Sequence, residues 1–224
     1  MQTLIVMLLF GAMGLTLVVF AVRGMRQQRR TVALARKVEQ RGMRFSAEDP
    51  FNLIGRHGMF ALMEGGHSGL ANNVTHGLLG SVPVRAFDFQ MECGHGTRRT
   101  IHRCLAVIVE FDRAIPELLM WRTETPQGSL LPAQFGGDQR GPWTYRGNRE
   151  LAMALGETAA FRSEGGGLQC LGNAMIVWSQ AVSWRDDYIR LFPLIEQVVR
   201  LLRQREPVPS DASPCQNIES APST

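Results

Sequence analysis

The sequence predicts an α+β protein: an N-terminal transmembrane helix, then a cytoplasmic domain with a mainly antiparallel sheet and a packed C-terminal helix. Three patterns lead there. Thr3 to Val22 is an uncharged apolar run, long enough to cross a ~30 Å hydrocarbon core as a helix. In Val82 to Cys93, Phe87, Phe89, Met91 and Cys93 alternate with Asp88, Gln90 and Glu92, the period of a strand with one core face and one polar face. In Tyr188 to Gln204, apolar Leu191, Leu194, Ile195, Val198, Leu201 and Leu202 recur at helical spacing.

The apolar run reads as an uncleaved anchor. No Lys or Arg precedes it, and Phe20-Ala21-Val22-Arg23 makes a poor signal-peptidase site. Basic residues follow at once: Arg23, Arg26, Arg29, Arg30, Arg36, Lys37, Arg41 and Arg44. By the positive-inside rule the N-terminus lies outside and the rest in the cytoplasm. That gives a single-pass protein of a bacterial inner (plasma) membrane, with the lipid bilayer as partner of residues 3–22. Arg23, Arg26, Arg29 and Arg30 are placed to contact lipid headgroups. Nucleic acid is not expected, because no aromatic residues interleave with these arginines.

The formal net charge of +4 is concentrated in this basic stretch, and the remainder is slightly acidic. The pI near 9.2 therefore does not argue for an acidic partner of the domain. The four cysteines, Cys93, Cys104, Cys170 and Cys215, do not resemble a secreted disulfide scaffold. Free thiols are expected.

The chain divides into 1–22 (anchor), 23–49 (basic juxtamembrane helix and linker), 50–206 (α+β domain) and 207–224 (disordered tail). Residues 23–41 continue the anchor helix, with Gly42 as its stop, and Glu48-Asp49-Pro50 is a linker. From Phe51 to Gly80, frequent glycines imply strands, turns and close backbone approaches. Val82–Cys93 and Thr100–Phe111 form a hairpin around Gly94–Arg99. Glu117–Arg122 is a third strand, Pro126–Pro142 an exposed loop, and Trp143–Arg146 a short strand. Asn148–Phe161 is helical. Leu168–Leu171 and Ala174–Gln180 pair across Gly172-Asn173. Tyr188–Gln204 closes the domain as a helix, with Pro193 in its first turn. The helices are expected on one face of the sheet.

The candidate chemistry centres on Cys93-Gly94-His95 and His102-Arg103-Cys104. A register placing Cys93 opposite Cys104 and His95 opposite His102 would put two Cys and two His on one face, a donor set for structural zinc. The alternative is two small core cysteines and two surface histidines near a turn; the C-x₂-C knuckle is absent. A Cys93–Cys104 disulfide is disfavoured in the cytoplasm. A catalytic Cys–His pair lacks any sign of an orienting third group. Gly94-His95-Gly96-Thr97-Arg98-Arg99 has no P-loop spacing. Trp178 and Trp184 read as core or interface aromatics.

One resemblance stands beside this reading. Asn73, Gly77, Phe87-Asp88-Phe89, Gly94-His95-Gly96, the return strand Thr100 to Val109, and Ile115-Pro116-Glu117-Leu118 resemble a family of bacterial membrane-anchored proteins with a Phe-Asp-Tyr-type strand. Phe89 stands where that family has Tyr. The family has no assigned activity, so the resemblance implies architecture alone. The expected role is non-catalytic: a membrane-anchored binding or scaffolding module without a cofactor. The alternative is a metal- or thiol-dependent enzyme or sensor built on Cys93, His95, His102 and Cys104.

Overall fold

Alternating apolar residues need a partner layer, and among the described residues one sheet of nine strands is built with layers on it. The computed structural model describes residues 2–94, 96–122, 131, 136–158, 161–162, 166–180 and 187–204, with side chains from Phe10 onward. Helix α1 spans Gln2–Glu39. Strand β1 (Arg44–Glu48) and two single-turn helices, α2 (Leu53–Arg56) and α3 (Ala61–Glu64), lead into β2 (His67–Leu79), β3 (Val82–Cys93) and β4 (Thr100–Glu110). Strands β5 (Leu118–Arg122), β6 (Asp138–Arg140) and β7 (Trp143–Gly147) precede α4 (Arg149–Glu157). The hairpin β8 (Gly167–Leu171) and β9 (Ala174–Gln180) follows, then a 3₁₀ turn (Tyr188–Leu191) and α5 (Phe192–Gln204). The sheet order is β1-β2-β3-β4-β9-β8-β5-β7-β6, and every pairing is antiparallel.

Both faces of the sheet are covered, which corrects the expectation of helices on one face. On the first face, Leu105, Val107 and Val109 of β4 pack with Leu34 and Val38 of α1, Leu151 and Leu155 of α4, and Leu194, Ile195 and Val198 of α5. On the second, Ala106 and Ile108 pack with Leu53, Phe60 and Leu62. A strand buried on both faces reads as a continuous apolar run, as Leu105-Ala106-Val107-Ile108-Val109 does.

Among the described residues no helix is long and apolar enough to cross a membrane. This overturns the expected transmembrane span over residues 1–22 and the single-pass reading built on it. The run that ends at Val22 is no separate element but the first part of α1. Nor does the helix end there. It continues through the basic stretch and docks on the sheet with Leu34 and Val38, so residues 30–39 belong to the fold. Gly42 follows in the left-handed region, φ 70°.

Local signals set several other ends. The Asn148 side chain caps α4 by accepting from the Leu151 N–H at 2.8 Å. Pro193 lies in the first turn of α5, where its missing N–H costs nothing. Gly167 is obligatory, because a Cβ there would collide with the ring of buried Trp178. Three strands were not placed by the sequence reading: β1, which takes in Glu48 from the expected linker, β6, and β2, which lies in the glycine-rich stretch read only as strands, turns and close approaches. A Cβ at Gly77 would press on Met43 at 3.0 Å, so this glycine serves close packing inside a strand. Most of the expected loop Pro126–Pro142 lies outside the described residues, as do the tail 207–224 and Trp184. Within that loop stretch, Asp138–Arg140 is strand β6.

Candidate functional site: a helical arm and its buried lock

The observed register differs from the one that would set Cys93 opposite Cys104. Gly94 takes φ 80° and a 3₁₀ turn, Gly96–Arg98, follows. The strands therefore pair Cys93 with Thr100, Met91 with His102 and Phe89 with Cys104. Cys93 and Cys104 are displaced by about 13 Å along the strands. His95 lies outside the described residues, and among those described no group of His, Cys, Asp and Glu could hold a metal ion. Cys104 is fully buried in the second core. The half-buried Cys93 thiol donates to the Gly65 carbonyl at 3.5 Å, and burial pushes its pKa up, away from thiolate chemistry. Cys93, Cys104 and Cys170 are free thiols.

The structure assembles a different constellation. Arg30, expected at a lipid headgroup, is buried on the inner face of α1 together with Leu34 and Val38, at i, i+4 and i+8. Asp88, expected on a polar strand face, is buried beneath it. The pair is bidentate: Arg30 Nη1 to Asp88 Oδ2 at 2.6 Å and Nη2 to Oδ1 at 3.0 Å. Asp88 Oδ2 also accepts from Asn73 Nδ2 at 2.7 Å and from Arg103 Nη2 at 3.1 Å.

Asn73 reaches Asp88 because β2 bulges there. The pairing runs Asn72 with Asp88, then Thr75 with Ala86, so two residues of β2 oppose one of β3. Asn73 takes φ 51° in this bulge, a conformation that Asn tolerates better than most residues. Its Oδ1 accepts from the Thr31 hydroxyl at 3.2 Å, and its carbonyl accepts from the Tyr188 hydroxyl at 2.7 Å. Tyr188, whose pKa burial raises, stays neutral and accepts from Thr75 in turn. Lys37 of α1 pairs with Asp187 at 2.8 Å. The lock thus joins α1, β2, β3, β4 and the turn before α5. Asn73 and Asp88 both belong to the motif that carried the family resemblance. Their link to Arg30 had no sequence signal beyond an Asp between two phenylalanines.

Beyond the lock the helix changes character. Arg23, Arg26 and Arg29 are exposed. Before them Phe10, Met13, Leu15, Leu17, Val18, Val19 and Phe20 are all exposed, Phe20 at 68%. A run apolar around the whole helix and left open is unusual on a folded domain. What the lock holds is therefore an apolar arm with a basic root.

Fold and site together define a class: a two-sided antiparallel sheet domain with a rigidly rooted helical arm. The chain is similar in fold to the mycobacterial trehalose monomycolate transport factor A, TtfA. Its crystal structure superposes with a TM-score of 0.54 at 16% identity, over 82% of this chain and 98% of that one. At that identity the likeness shows the fold alone. No family model and no curated protein matches the chain.

Proposed function

We propose that this protein is a non-catalytic lipid-binding scaffold that engages lipid through its apolar arm. One observation carries the reading: the exposed apolar surface from Phe10 to Phe20, with Arg23, Arg26 and Arg29 beside it. Apolar side chains bind acyl chains by leaving water, and the arginines match anionic headgroups. The lock fixes the arm's direction, so whatever it binds is held at a set angle to the sheet. Shared fold with a lipid transport factor is consistent with this role. The reading needs no membrane crossing.

The test is co-sedimentation of the full chain with vesicles of phosphatidylcholine and phosphatidylglycerol. The wild type is expected to sediment, less so at high salt. A Leu15→Asp, Leu17→Asp variant is expected to stay in solution. Wild type remaining in solution, or the variant sedimenting equally, would overturn the reading.

A further inference from the structure

At the opposite end of the sheet from the arm, a cavity of about 270 Å³ opens between β7 and α4. Its floor is apolar: Met120, Trp143 and Gly156. Trp143 is buried and faces Phe161 at 4.5 Å between ring centroids, while Arg122 lies 5.2 Å over its ring. Arg140, Arg162 and Glu157 also line the cavity. Arg140 Nη1 donates to the Met153 thioether at 2.7 Å, a weak acceptor for a guanidinium. Among the described residues neither Arg140 nor Arg162 makes an ion pair with a carboxylate.

Gly156 is the informative position. Glycine inside a helix is unfavourable, and nothing in its backbone requires it: it lies in helical α4 without a positive φ. A Cβ there would meet Met120 at 3.5 Å and Trp143 at 3.9 Å, ordinary contact distances. The missing side chain leaves the space open rather than relieving a clash.

We infer that this cavity binds a single-chain amphiphile with an anionic head, its alkyl chain against Met120, Trp143 and Gly156 and its head between Arg140 and Arg162. The apolar floor excludes a purely polar ligand, and the two arginines favour an anion over an alcohol. The volume, at the small end of ligand sites, suits one chain and not a two-chain lipid. The choice of ligand class rests on the lipid-binding function proposed above; the cavity does not.

The experiment is calorimetric titration of the full chain, below micelle formation, with dodecanoate, a lauroyl lysophosphatidate and dodecanol. One saturable site is expected for the two anions, the tighter of them identifying the head as carboxylate or phosphate. Gly156→Leu is expected to weaken binding about ten-fold or more by occupying the chain's place, and Gly156→Ala about three-fold while folding normally. The double variant Arg140→Ala, Arg162→Ala is expected to lose the preference for anions over dodecanol. Absence of saturable binding, unchanged binding by both Gly156 variants, or dodecanol binding as tightly as dodecanoate would overturn the inference. The arm variant Leu15→Asp, Leu17→Asp is expected to bind dodecanoate as wild type does, so failure of the arm and failure of the cavity read out separately.

Discussion

Residues 10–29 and 30–39 of α1 form one continuous helix, yet they meet opposite surroundings. The first stretch is largely exposed, apolar to Val22 and basic after it; the second is richer in polar residues and is partly buried. The burial lies where hydrophobicity alone would not put it, because Arg30 finds Asp88 and Leu34 and Val38 find the sheet. A helix's apolar content thus says what it can bind, and its anchoring residues say which part is already satisfied. In this chain the unsatisfied half is the one available for function.

That contrast can be broken first at Asp88. Asp88→Ala leaves Arg30 and Arg103 without their shared carboxylate, and is expected to cost about 3–5 kcal/mol. Urea unfolding measures the loss, and trypsin is expected to cut sooner after Arg30. Arg30→Met is expected to cost less, since Asn73 and Arg103 still hold Asp88. Tyr188→Phe removes the donor to the Asn73 carbonyl and the acceptor for Thr75. It is expected to cost about 1–3 kcal/mol in the same measurement.

A smaller effect comes from acid. His57 is buried, and burial lowers its pKa below 6.5, opposed by the charge of Glu110. Protonation therefore favours the unfolded chain. This contribution to stability is complete above about pH 6.5 and is lost as pH falls through the lowered folded value. His76, lowered by burial as well, adds to the slope. His57→Phe is expected to flatten the fall in urea midpoint between about pH 7 and pH 5.5. The smallest effect belongs to the arm: Leu15→Asp with Leu17→Asp is expected to move stability by less than about 0.5 kcal/mol. A large destabilisation would mean that the arm, too, is part of the fold.

Much of the sheet was readable because its signals are local. Alternation marked β3, Gly172-Asn173 marked the β8–β9 turn, and Asn148 marked the start of α4. The bounds of β2 were not readable because its glycines serve close packing against neighbours that no local pattern reveals. The hairpin register turned on one positive-φ glycine and a 3₁₀ turn, and shifting it separated Cys93 from Cys104. The lock was unreadable for a different reason. Arg30 and Asp88 are 58 residues apart, and each looked ordinary in its own segment: one more juxtamembrane arginine, one more polar strand position. Only the docking of α1 turns the polar face of β3 into an interior.

The central seam of the sheet has a consequence for how the chain is made. Strand β4 pairs on one side with β3, its sequence neighbour, but on the other with β9, so that Glu110 meets Ala174. During synthesis β1 to β4 can assemble as successive neighbours while β9 has yet to leave the ribosome. Until then Leu105 to Val109 offers an open, apolar edge to any other nascent strand. The order of translation therefore leaves this protein most exposed to misassociation at the centre of its finished sheet, and the arrival of β9 ends that exposure.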